Sequence, residues 1–74
     1  MKETRISNLQ LASFLIALDH RLLRVEGTQG RREFVFVEVP REVIIGYYGD
    51  RDRVSARRLF NAYRDLRGLA RQAL

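Results

Sequence analysis

Residues 20–40 read HRLLRVEGTQGRREFVFVEVP, and this stretch decides the fold. Its second half, about residues 32–39, is dense in β-branched and aromatic side chains, which suit a pleated, half-buried surface. Phe34, Phe36 and Glu38 share one side of that strand, and Val35, Val37 and Val39 share the other. Both sides are apolar, so both are expected to be covered. The first half, about residues 21–26, reads as the partner strand, with Leu23 and Val25 on one side and Leu22, Arg24 and Glu26 on the other. Gly27-Thr28-Gln29-Gly30 between them has the composition of a four-residue turn. A lone hairpin is marginal in water and needs helices packed on it.

The flanking sequence supplies helices. Ser7 is a candidate N-cap, Gln10 stands at the capping-box spacing, and Ile6 and Leu11 fall at the hydrophobic-staple positions. A helix over about 8–18 follows, with Leu9, Leu11, Ala12, Leu15, Ile16 and Leu18 in a stripe wider than one packing face requires. Asp19-His20 ends it. Pro40 stops the second strand and suits a first helical turn. Residues 41–48 place Val43, Ile44, Tyr47 and Tyr48 at helical spacing; the β-branched run Val43-Ile44-Ile45 also allows a third strand, and a short helix is the preferred reading. Ser55 caps a last helix over about 56–72, whose buried face is read as Leu59, Phe60, Tyr63, Leu66 and Ala70. Arg57, Asn61, Arg64, Gly68 and Arg71 line the opposite face, with Arg58, Asp65 and Gln72 beside them. The expectation is one small α+β domain spanning 1–74, in the order α-β-β-α-α, with a two-stranded antiparallel hairpin packed against helices.

Size and composition exclude several classes. With 74 residues there is room for one modest core and none for the walls of a deep enzyme pocket. The absence of cysteine removes disulfide frameworks and thiolate metal sites. The apolar run Leu9 to Leu18 loosely mimics a secretory signal, but Gln10 and Ser13 interrupt it and it falls short of the ~20 residues that span a bilayer. The default expectation is a cytoplasmic protein without a membrane partner.

Charge is distributed unevenly. The net charge is +5, and residues 51–74 carry seven arginines against Asp52 and Asp65, so the whole excess lies there. Arg57, Arg64 and Arg71 recur every seven residues, about 10 Å apart along a helix axis. Such asymmetry points to a polyanionic partner or an acidic protein surface, the plain alternative being a solvated helix face.

Four segments together resemble a family of small phage and bacterial proteins known only as a domain of unknown function: Ser7-Asn8-Leu9-x-Leu11-Ala12-x-Phe14-Leu15, Phe34-Val35-Phe36, Tyr47-Tyr48-Gly49, and VSARRLFNAYRDLR at residues 54–67. The resemblance covers nearly the whole chain. It implies no activity; it implies a phage or mobile-element setting, in which small basic proteins often bind nucleic acid or host machinery.

No catalytic constellation emerges. His20 is the only histidine and reads as structural, Ser7 and Ser55 read as caps, and no pair of carboxylates sits in a hydrophobic setting. Asp50 and Asp52 flank Arg51 and read as turn residues rather than cation ligands, and the glycines fit no phosphate-loop fingerprint. No enzyme activity, metal or cofactor is expected. The candidate nucleic-acid-binding residues are Arg51, Arg53, Arg57, Arg58, Asn61, Arg64 and Arg71, with Tyr48 as a stacking or anchoring ring. Arginine pairs with phosphate in two-pronged fashion at any working pH, giving affinity with little sequence readout. The chain is therefore expected to be a non-catalytic basic module that binds nucleic acid non-specifically. The other expectation is an adaptor or inhibitor docking to a host or phage protein through the apolar surface of helix 1 and the hairpin. Surplus apolar surface and open sheet edges could also be closed by a homodimer.

Overall fold

The computed structural model describes residues 2–28, 30–49 and 53–72. Its elements are β1 (Glu3–Ile6), α1 (Leu9–Ala17), β2 (Leu22–Thr28), β3 (Arg31–Val37), α2 (Arg41–Tyr48) and α3 (Ala56–Gln72). The architecture is α+β, and it corrects the expected order at one point: the sheet has three strands rather than two. The four residues ETRI pair antiparallel with the free edge of β3, giving the order β1-β3-β2. β3 is thereby the central strand.

The register explains how a sheet apolar on both sides stays covered. Phe34 lies opposite Ile6 and Val25, and Phe36 opposite Thr4 and Leu22. Phe34 and Phe36 join Leu11, Ala12, Phe14 and Leu15 of α1 and Leu66 and Ala70 of α3 in one core. On the other side Val35 lies between Arg5 and Arg24 and is wholly buried. The aliphatic stems of those arginines cover it, while their charged ends stay wet.

A bulge between Leu22 and Arg24 changes the reading of β2. Strict alternation placed Leu23 with Val25. The extra residue instead turns Leu22 inward with Val25, both against the core, and leaves Leu23 exposed. The turn is tighter than expected, since β2 runs to Thr28 and β3 begins at Arg31. Gly27 sits at φ +113°, and a Cβ there would meet the Arg31 carbonyl oxygen at 2.0 Å, so glycine is required.

The cap of α1 also shifts by one residue. Asn8, not Ser7, is the N-cap: its Oδ1 accepts from the amides of Gln10 at 2.8 Å and Leu11 at 3.2 Å. Asp19, in the left-handed region at φ +69°, ends the helix. The Asp19 N–H donates to the Ile16 carbonyl at 2.9 Å and the His20 N–H to the Leu15 carbonyl at 3.0 Å, the paired bonds of a Schellman ending. Residues 41–48 are helical, with Pro40 at the N-cap. Val43, Ile44 and Tyr47 pack on the core; Ile45 and Tyr48 do not. The Ser55 Oγ accepts from the Arg58 amide at the start of α3, and α3 packs along α1.

Candidate nucleic-acid interface

The position of the interface follows from which arginines the protein uses up itself. On the outer sheet face, Arg5 pairs with Glu26 at 2.6 Å and with Glu33 at 3.4 Å. Arg24 grips Glu3 with two parallel hydrogen bonds of 2.9 Å and also bonds Glu26. The Arg24 guanidinium, hydrogen-bonded to Glu3, holds that carboxyl below the ordinary glutamate value, and Arg5 followed by Arg24 does the same to Glu26. In return, the hydrogen bond from Glu26 raises Arg5, and those from Glu3 and Glu26 raise Arg24. Charge on this face is internally balanced, so it has little field to offer a polyanion.

α3 is different. Arg57, Arg58, Asn61, Arg64 and Arg71 are all exposed, as Arg53 is just before the helix. Two of these arginines have acidic neighbours. Arg58 donates to Asp19 at 2.7 Å across the α1–α3 junction, so it is partly neutralised. Arg64 lies 3.6 Å from Asp65, next to it in the chain, with both side chains about seven-tenths exposed, a contact of little weight. Among the described residues Arg57, Arg67 and Arg71 pair with no carboxylate. Arg51 lies outside the described residues.

The buried face of α3 departs from expectation at Phe60, which is 69% exposed. The inward positions are Ala62, Leu66 and Ala70, with Leu59 and Tyr63 half-buried. Phe60 precedes Ala62 by two residues, about 200° around the axis, and so points away from α1. It thereby joins the basic side: Phe60, Arg64, Arg67 and Arg71 follow one another at intervals of four, three and four residues, a single stripe along the helix. Arg67 also lies over the Tyr63 ring, its guanidinium carbon 5.8 Å from the centroid. Sequence reasoning missed Phe60 as a surface group, because it let each large apolar residue at rough helical spacing count as core, and it left Arg67 out of the candidate set. The small residue Ala62, buried in line with Leu66 and Ala70, carried the missing signal.

Tyr48 is 67% exposed at the end of α2, and its ring meets the half-buried Tyr47 edge-on at 5.2 Å. Tyr47 packs in turn on Phe14, 5.0 Å between centroids. Of the Tyr pair, one ring is thus a wall and the other is presented to solvent. A shallow apolar groove of about 450 Å³ runs between Tyr47, Leu59, Phe60 and Tyr63, with Gln10 and Ser13 at its base. α1 itself has little to offer a partner, since Leu11, Ala12, Phe14, Leu15 and Ala17 are buried.

Among the described residues no group of three or more His, Cys, Asp or Glu is placed to hold a metal ion, and no helix is long and apolar enough to cross a membrane. Comparison with protein-family models, with curated proteins and with solved structures returned no match.

Proposed function

We propose that this protein is a small binding module that takes a nucleic-acid strand along α3. One observation carries the reading: the stripe Phe60-Arg64-Arg67-Arg71 presents an exposed aromatic ring in line with guanidiniums, while Arg5 and Arg24 of the outer sheet face are held by the protein's own glutamates. Arg57, Asn61 and Arg53 widen the basic surface, and Tyr48 adds a second exposed ring at the end of α2. Guanidiniums follow phosphates and release counterions; aromatic faces stack on bases of any identity. The combination suits single-stranded nucleic acid read without sequence preference. Arg58 contributes less, because Asp19 occupies it. The phage or mobile-element setting rests on the family resemblance alone.

The test is fluorescence anisotropy of a labelled single-stranded oligonucleotide against salt. Binding should fall steeply between low and physiological salt, and Phe60→Ala should weaken it by about 1–3 kcal/mol, the usual worth of one stacked base. Binding indifferent to salt would overturn the reading. That outcome favours the second reading, a protein adaptor, for which the exposed Phe60 at the rim of the apolar groove is the supporting observation.

A further inference from the structure

The β3 register carries one more consequence. Arg32 alternates with Phe34 and Phe36, so its side chain leaves the sheet on the side the helices cover. Its Nε is buried and has no hydrogen-bond partner among the described residues. A guanidinium nitrogen left so costs free energy, which a bound acceptor would recover. The space beside it is a cleft of about 390 Å³ between the hairpin tip, the β1–α1 junction and the last turns of α3. Arg67 and Arg71 line it from the helix and Ser7 from the junction, with the apolar wall formed by Leu9 and Phe34. Among the described residues no carboxylate lines this cleft; Glu33 lines a neighbouring hollow that shares Arg32 with it.

We infer that this cleft is a binding site for a phosphate group. Arg32 supplies the fixed donor, held in place by its strand. Arg67 and Arg71, one helical turn apart, close on the anion from the other side, and the Ser7 hydroxyl completes the set. A phosphate monoester, carrying nearly two negative charges at neutral pH, balances three convergent guanidiniums better than the singly charged diester of an internal linkage. The inference rests on the nucleic-acid reading only for the source of that phosphate, which would be the end of a bound strand; a free phosphomonoester presents the same chemistry.

Orthophosphate titrated into the isotope-labelled full chain at constant ionic strength tests the site. The expected result is a saturable shift of the Arg32 Nε–H resonance, with affinity about tenfold lower in Arg71→Gln, the effect of removing one charge-assisted hydrogen bond. Arg71 is exposed, so this variant keeps the fold; Arg32→Met, whose folding is checked by its spectrum, should abolish binding, read from the Arg67 and Arg71 Nε–H resonances. Absence of a saturable shift overturns the site, whether or not oligonucleotides bind. A terminally phosphorylated oligonucleotide that binds more tightly than its hydroxyl counterpart identifies a strand end as the ligand. Equal affinities, with orthophosphate still bound, identify a free phosphomonoester. If Arg57→Gln/Arg64→Gln leaves salt-dependent oligonucleotide binding intact while orthophosphate still occupies the cleft, the α3 interface fails and the phosphate site stands.

Discussion

Asp19 holds two positions at once, and changing it separates them. Its backbone, at φ +69°, forms the Schellman ending of α1, and its carboxylate holds Arg58 at 2.7 Å. Asn is the substitution that keeps the first role and removes the second, because Asn tolerates the left-handed region about as well as Asp. The ion pair joins side chains that are 80% and 54% exposed, so its loss should cost under about 1 kcal/mol. For a domain of this size that is a fall in Tm of no more than roughly 4–8 °C. Binding should move the other way. Asp19→Asn raises the net charge by one and releases the Arg58 guanidinium on the flank of α3. If Arg58 then meets a phosphate, the plot of log affinity against log salt should steepen by about 0.7. Thermal denaturation and anisotropy titration at several salt concentrations measure the two effects. An unchanged slope would show that Arg58 lies off the path of the polyanion. Looser binding in this variant would refute the reasoning outright.

Three further outcomes concern the scaffold. The Thr4 Oγ1 accepts from the Val39 amide at 2.9 Å, and Val39 is buried, so Thr4→Val should lower stability by about 1–3 kcal/mol in denaturant unfolding, with β1 loosened first in amide exchange. Gly27→Ala places a Cβ against the Arg31 carbonyl at an unfavourable positive φ; about 1–3 kcal/mol is lost to backbone strain alone, seen as a lowered Tm. Glu3 and Glu26 have folded-state values below the ordinary 4.5, so each binds a proton more readily in the unfolded chain. Their contribution to stability is therefore fully present above about pH 5 and is lost as pH falls below 4.5 through the lower folded values. Urea unfolding across that range should show the loss, and Glu3→Gln/Glu26→Gln should flatten it.

Much of the fold could be read from residue order, and the departures have physical causes. Pro40 and Ser55 mark the starts of α2 and α3 because each satisfies a local requirement that owes nothing to distant contacts. β1 was missed because ETRI has no apolar alternation of its own; it is a strand only because β3 offers an unpaired edge. The Leu22–Leu23 inversion was missed for a related reason, since a bulge is imposed by pairing and leaves no trace in composition. Ser7 and Asn8 are both good caps, and tertiary placement of β1 chooses between them. At the candidate interface, Arg57, Asn61, Arg64 and Arg71 were legible as an exposed line from helical spacing alone. The engagement of Arg58 by Asp19 joins residues far apart in sequence, as does the convergence of Arg32 with Arg67 and Arg71. Neither could be read from local spacing.

The central claim is that the free positive charge of α3 meets a polyanion. The slope of log affinity against log salt, measured for single-stranded oligonucleotide binding in wild type and in Arg57→Ala/Arg64→Ala, tests it most directly. The account predicts a slope shallower by about 1.4 units in the double variant, with no change in fold. A slope identical to that of wild type would contradict it.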